Sequence, residues 1–425
     1  MPSEKLKIVA ADSLDLAEHI RPGDWIIWGQ GTSEPLTLME TLVAQRAAIG
    51  PTNVFLGISI AETIKPEHTD YITPASYGAL GGNMPLARAG KLRYLPNLYS
   101  QMWRAVDIGR LPIDVVFVQL SPAGPDGSHS LGFANDYLPA AMKRARLVIG
   151  EINSNVPWSH MDAPLNSSLI DFAIETDRMP PPFVIPEPGE AEQQIARHVA
   201  SVIEDGSTIQ YGIGSLPAAV LGELGSHREL GIHSGMLTEH VIDLVESGAV
   251  TNARKPIDQG ITVGAIAFGG NRMRDFMHAN EGLQMHQSSA THGAATLAKF
   301  DNLVAINSAL EVDLFGQVNG EQIGDKYLGT IGGQVDYMHA GTAAENGLSI
   351  IAMPATLGKT GASRVVDRLG GPLVTTPRGN VDMVITEHGI ADLRGKFVDE
   401  RAQALIAVAP PEQRERLAAS FSEMS

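Results

Sequence analysis

Three glycine-rich turns are the first places in this chain where backbone amides can meet a ligand. Gly29-Gln30-Gly31 follows the apolar run Trp25-Ile26-Ile27-Trp28, and Gly212-Ile213-Gly214 follows Thr208-Ile209-Gln210-Tyr211. A glycine turn between a strand and a helix presents unpaired N–H groups, which suit an anion or a developing oxyanion. Gly332-Gly333-Gln334 can bring amides close to a substrate carbonyl in the same way. Neither of the first two turns completes a dinucleotide G-x-G-x-x-G, because position 34 is Glu and position 217 is Pro. No G-x-x-x-x-G-K-[ST] occurs, so a Walker-type nucleotide site is not expected. Simple tight packing accounts for a lone GxG as well as a ligand does. Glu311 and Asp313, alternating with Val312 and Leu314, fit either a carboxylate pair or a half-exposed strand.

The choice of nucleophile is narrow. The chain has no cysteine, which excludes thiolates, CxxC zinc sites and disulfides. There is no H-E-x-x-H, and the Thr-Glu-His triplets at 238–240 and 386–388 lack a suitably spaced second histidine, so no metal site is expected. No G-x-S-x-G elbow appears. A nucleophile is therefore a carboxylate, or a serine outside that elbow.

The elements that must position these residues repeat. Residues 23–31 and 206–214 both read G-x5-G-x-G, and Pro35 or Pro217 then leads into an apolar helical stretch. Each follows a helix-like segment, 14–20 or 195–203. The pattern reads as strand, glycine turn, helix, with proline in the first helical turn where its missing N–H is harmless. Between the copies lie Met179-Pro180-Pro181-Pro182 and Pro186-Glu187-Pro188-Gly189, too poor in donors for a helix or central strand. This linker separates an expected N-terminal domain, 1–182, from a C-terminal one, 190–425. Short apolar runs at 114–120, 147–152, 303–306, 349–353 and 382–386 read as buried parallel strands. The expected fold is α/β, with two tandem similar domains and mostly parallel sheets.

Composition sets outer limits. Against 31 Lys and Arg stand 48 Asp and Glu, a net charge of −17 over 425 residues. That balance argues against a nucleic-acid partner or a polybasic membrane anchor. It leaves room for an anionic small ligand in a locally positive pocket. No apolar run reaches the ~18 residues of a membrane span and no leader-like h-region opens the chain, so a soluble, cytoplasmic protein is expected.

Several segments together resemble the acetyl-CoA hydrolase/transferase family, the class I CoA-transferases that act on 4-hydroxybutyrate, succinyl-CoA and acetate, or related pairs. The resemblance runs over most of the chain. It is strongest at Glu151-Ile152-Asn153-Ser154-Asn155-Val156-Pro157, at residues 212–220, at Leu230-Gly231-Ile232-His233-Ser234, at residues 306–319, at Gly332-Gly333-Gln334-Val335-Asp336-Tyr337 and at residues 386–395. It implies an active site in a cleft between two similar domains. It also implies an acyl-CoA and a small carboxylic acid as substrates, CoA as substrate with no further cofactor, and a homo-oligomer as a family-level expectation. The implied chemistry is ping-pong: a glutamate carboxylate attacks the thioester, and CoA passes through a glutamyl-CoA thioester to a second acid. Carried over, the turns at Gly29-Gln30-Gly31, Gly212-Ile213-Gly214 and Gly332-Gly333-Gln334 line the acyl or CoA pocket and supply oxyanion donors, with Glu34 beside the first turn facing the same cleft.

At the nucleophile the chain departs from this pattern. The family reads roughly H-S-E-M where this chain reads His233-Ser234-Gly235-Met236. A family asparagine falls near Thr291-His292-Gly293. Glu62, just past an apolar strand-like run in the first domain, is the leading substitute nucleophile, because open α/β sheets bind ligands beyond their strand ends. Glu239, one turn from Gly235 if that segment is helical, is a second substitute. His292 is a candidate polar group or base. Three readings follow: a CoA-transferase with an atypical catalytic set, an acyl-CoA hydrolase, and a CoA-binding homologue that has lost catalysis.

Overall fold

Strand Val115–Leu120 is buried at every position, and it sits inside a seven-stranded sheet rather than at an edge. A run apolar on both faces needs cover on both, which is the usual environment of a parallel strand. The computed structural model describes residues 6–324 and 326–424. It contains two units, one running to Val184 and taking in Val263–Thr291, the other formed by Ile185–Thr262 and the chain from His292 onward.

The sheet of the first unit is parallel throughout, in the order Arg93–Tyr94, Ile72–Ser76, Thr52–Leu56, Trp25–Trp28, Val115–Leu120, Leu147–Asn153, Phe172–Thr176. Helix Leu36–Ile49 packs its Leu38, Met39 and Leu42 into this core. Pro35 at its start has no side chain that can cap it. Buried Glu151 does so from strand Leu147–Asn153, accepting from the N–H groups of Thr37 (3.0 Å) and Leu38 (3.2 Å). A carboxylate at a helix N-terminus satisfies otherwise unpaired donors and opposes the helix dipole.

The second unit carries a six-stranded sheet in the order Gly231–Ile232, Thr208–Tyr211, Leu303–Asn307, Leu348–Ala352, Met383–Thr386, Gly389–Asp392. Only the last strand is antiparallel. The strand runs expected from sequence occur within a residue or two of their predicted limits, and the linker 179–188 carries neither helix nor strand.

Two expectations change. The segment 14–20 is not a helix: it holds a three-residue 3-10 turn, Leu16–Glu18. Leu14, Leu16 and Ile20 are buried all the same, so their apolar spacing reports packing onto the sheet, and Pro22-Gly23 leaves no room for another turn. Residues 263–291 group with the first unit although they follow the linker. Strand pairing explains this, since Leu283–Met285 runs parallel to His160–Met161 and Ile266 bridges Ala134.

Candidate active-site residues

In the first unit the strand–turn–helix repeat is realised as Trp25–Trp28, the Gly29-Gln30-Gly31 turn, a 3-10 turn Gly31–Ser33 and helix Leu36–Ile49. Gly31 has φ +62, and a Cβ there would stand 2.5 Å from the Phe268 ring, so only glycine fits. The Gln30 side chain is committed to the interior. Its amide donates to Tyr99 Oη (2.5 Å) and Asp136 Oδ2 (2.6 Å). Its carbonyl accepts from Ile58 N–H (2.8 Å) and from the Tyr77 hydroxyl. Burial raises Asp136 to about 6 and Tyr77 and Tyr99 well above their ordinary value, with hydrogen bonds from Gln30 opposing the rise at Asp136. The backbone of this turn also faces inward, with Gly31 N–H donating to Ile58 O at 2.7 Å.

That bond is one of several that strap residues 57–61 to the turn. Glu34 is fully buried and accepts from Ser59 Oγ (2.6 Å), Ile60 N–H (3.0 Å) and Ala61 N–H (2.8 Å). Burial lifts its carboxyl to about 7, and these three bonds hold the rise back. Glu62, next along the strapped segment, is exposed. It lines a groove of about 450 Å³ with Leu36, Glu40, Val43 and Ala44 on one wall and Ala61, Thr63 and Lys65 on the other. Arg178 forms a bidentate pair with Glu40 (2.5 and 2.7 Å) at the same groove.

In the second unit the repeat reads Thr208–Tyr211, Gly212-Ile213-Gly214, helix Ser215–Glu223. Gly214 adopts φ +123, and Gly212 and Gly214 have nothing closer than 4.0 Å to an added Cβ. This turn is half-buried and open beside the backbone, unlike its counterpart at 29–31. Gly332, at φ +54, and Gly333 precede helix Gln334–Ala343, where the Gln334 amide donates to Thr376 Oγ1 at 3.0 Å.

His292 touches both the Gly235 and Gly333 backbones. A Cβ built on Gly235 would stand 2.5 Å from His292 Cε1 and 2.6 Å from Nε2, and one built on Gly333 would overlap Nε2 and Cδ2. The Tyr337 ring closes a further side, edge-on at 4.9 Å. Burial lowers His292 to about 3, so the imidazole is neutral at physiological pH and a very weak base. The space into which a side chain at 235 would grow is filled by this ring. Glu239 is not one helical turn from Gly235, because Met236–Thr238 is a strand and Glu239 precedes helix His240–Glu246. Glu311 and Asp313 are structural: Glu311 accepts from Asn319 and Gly370, and Asp313 accepts from Phe315 and Gln317 to close a turn.

Residues 5–185 match the acetyl-CoA hydrolase/transferase N-terminal domain, and residues 269–421 match the corresponding C-terminal domain. The 4-hydroxybutyrate coenzyme A transferase of Clostridium kluyveri is 34% identical over 99% of this chain and 98% of its own length. The chain belongs to the acetyl-CoA hydrolase/transferase family. Succinyl-CoA:cyclohexane-1-carboxylate CoA transferase of Geobacter metallireducens is 31% identical, covering 97% of this chain and 94% of its own. The crystal structure of RipA from Yersinia pestis superposes with TM-score 0.92 at 29% identity, over 98% of this chain and 97% of that one. Glu34, expected beside the Gly29-Gln30-Gly31 turn to face a substrate cleft, is instead fully buried and bonded to Ser59, Ile60 and Ala61. Among the described residues, no helix is long and apolar enough to cross a membrane.

Proposed function

We propose that this protein moves CoA between an acyl-CoA and a small carboxylic acid, with Glu62 as the nucleophile. Full-length similarity to CoA transferases supports the reaction class. The observation that carries the residue is Glu62 itself: an exposed carboxylate that lines a groove and follows a segment held by buried hydrogen bonds. The Glu62 carboxylate attacks the thioester carbonyl, giving an acyl-glutamyl anhydride and CoA thiolate. The thiolate attacks the glutamyl carbonyl, releasing the first acid as its carboxylate and leaving a glutamyl-CoA thioester. The second acid's carboxylate attacks that thioester, and the expelled thiolate then takes the new acyl group, freeing Glu62. A carboxylate is a weak nucleophile, so positioning and amide donors for the oxyanion supply much of the rate.

The second reading is a CoA-binding homologue without transfer activity, favoured by the His292 ring in the side-chain space of Gly235. One experiment separates the readings. Acetyl-CoA or succinyl-CoA is offered with a panel of short carboxylic acids, and new acyl-CoA and free CoA are followed for wild type and Glu62→Ala. Transfer that Glu62→Ala abolishes supports the proposal, and transfer that survives removes Glu62. Release of free CoA without new acyl-CoA indicates hydrolysis, and binding without either product indicates lost catalysis.

A further inference from the structure

Glu34 connects the two walls of the Glu62 groove, one through the chain and the other through its side chain. Along the chain it lies two residues before helix Leu36–Ile49, which supplies Leu36, Glu40, Val43 and Ala44 to one wall. Through its side chain it holds Ser59, Ile60 and Ala61, the residues that lead into the other wall. The rest of that segment is pinned separately: Asn83 Nδ2 donates to Gly57 O (2.8 Å), the Gln30 carbonyl takes Ile58 N–H, and Gly82 N–H donates to Ser59 O (2.7 Å). Among the described residues, Glu34 is the acceptor for the amides of residues 60 and 61, immediately before Glu62. Its carboxylate could have been replaced by an apolar group if its sole task were to fill space, because an ionisable group buried there is costly. What it provides instead is two acceptor oxygens, one aimed at two consecutive N–H groups and the other at a hydroxyl.

We propose that Glu34 is a positioning residue for the reaction, its buried carboxylate fixing the backbone of Ser59–Ala61 and so the place of the Glu62 carboxylate against helix Leu36–Ile49. This rests on the reading of Glu62 as nucleophile. Glu34 itself touches no substrate. The isosteric Glu34→Gln keeps one acceptor oxygen but turns an amide NH₂ toward either the Ile60 and Ala61 amides or the Ser59 hydroxyl.

The test combines turnover with backbone hydrogen exchange on the full chain, for wild type, Glu34→Gln, Ser59→Ala and Glu62→Ala. The expected result for Glu34→Gln is a kcat at least tenfold lower, KM for the acyl-CoA within twofold of wild type, and faster exchange across residues 57–63. A milder change in the same direction is expected for Ser59→Ala, which leaves the carboxylate in place and guards against a Glu34 variant that fails to fold. Glu62→Ala should lose turnover with exchange unchanged. Faster exchange at 57–63 with wild-type kcat overturns the positioning role, as does unchanged exchange. A rise in KM with kcat intact also overturns it, since that would place Glu34 in substrate binding. Glu62→Ala with wild-type turnover, or a wild type with none, defeats the Glu62 reading and this inference with it. Lost turnover in Glu62→Ala beside normal turnover in Glu34→Gln defeats this inference alone.

Discussion

Adding a single methyl group at Gly235 tests whether His292 fills the side-chain space of that residue. The new Cβ would lie 2.5 Å from His292 Cε1, against a comfortable separation of ~3.5–4.0 Å. The overlap is about 1 Å by that measure. The ring has little freedom to withdraw, because Gly333 abuts its Nε2 edge and Tyr337 stands at 4.9 Å. Overpacking of this kind costs about 1–3 kcal/mol. Gly→Ala also lowers the entropy of the unfolded chain, which offsets about 0.4–1 kcal/mol, so the single variant alone understates the clash. A double-mutant cycle with His292→Ala cancels the entropic part. His292→Ala by itself leaves a cavity and costs about 2–4 kcal/mol by analogy with other large-to-small core changes. In the double variant the methyl at 235 enters the vacated space, giving a coupling of about −1 to −3 kcal/mol.

The four tryptophans, at 25, 28, 103 and 158, all lie in the first unit. Unfolding of the second is therefore followed by far-ultraviolet circular dichroism in urea rather than by indole fluorescence. A coupling within ~0.3 kcal/mol of zero, the ordinary additivity error, would mean that the ring moves aside freely and would refute the packing argument. A glutamate at 235 meets the same obstacle at its Cβ. Gly235→Glu is thus expected to be destabilised in the presence of His292 and relieved in combination with His292→Asn.

Two stability predictions complete the set given with the proposals above. Glu34 has a carboxyl at about 7 when folded, against an ordinary value of 4.5; between those pH values the folded state holds a proton that the unfolded chain has lost. Wild-type stability attributable to Glu34 therefore falls as pH rises from 4.5 to 7 and is flat above. The shift amounts to about 3 kcal/mol in all, so Glu34→Gln should gain roughly 2–3 kcal/mol relative to wild type on going from pH 5 to pH 8 in urea unfolding; a difference independent of pH would contradict the burial argument. Glu151→Ala leaves the Thr37 and Leu38 amides and the Thr176 hydroxyl without their acceptor, which should cost ~1–3 kcal/mol, read from tryptophan fluorescence during unfolding, and a loss under ~0.5 kcal/mol would show that other groups cap the helix.

The parallel strands were legible because a doubly covered strand must be apolar at consecutive positions, as Val115–Leu120 is. The strand–turn–helix repeat was legible because glycine and proline mark backbone geometry directly. The environments of individual polar residues were not. Gln30 sits between two glycines in a turn that looks built for a ligand, yet its amide is consumed by Tyr99, Asp136, Tyr77 and Ile58, partners 28 to 106 positions away. No local pattern carries contacts of that range. His292 shows the same limit: its burial depends on two glycines at 235 and 333 that contribute space rather than chemistry. Glu311 and Asp313 fitted a carboxylate pair or strand residues, and hydrogen bonds from Asn319 and Gly370 to the one and from Phe315 and Gln317 to the other decided in favour of structure.

Gly333 belongs to the Gly-Gly-Gln segment that carries the family resemblance, whereas that resemblance implies a glutamate at Gly235 and an asparagine near Thr291-His292-Gly293. The ring occupies space released by one departure while resting on a glycine that is part of the shared pattern. A side chain at 235 and the ring at 292 therefore compete for one space, and a glutamate at 235 is expected to need a smaller residue at 292. At the position where the resemblance implies a nucleophilic glutamate stands an uncharged glycine, packed against a ring that burial keeps neutral. A covalent route through a carboxylate must then begin elsewhere in the chain. Glu62 meets the first requirement, an exposed carboxylate beside a groove. It lacks the desolvation that strengthens a carboxylate nucleophile, because it is exposed. Bound acyl-CoA must supply that cover, so catalysis by Glu62 requires the thioester to exclude water from the groove. Transfer through Glu62 should accordingly weaken as the acyl group shortens and covers less of the wall formed by Leu36, Val43 and Ala44, whereas a rate indifferent to acyl length would place the chemistry outside this groove.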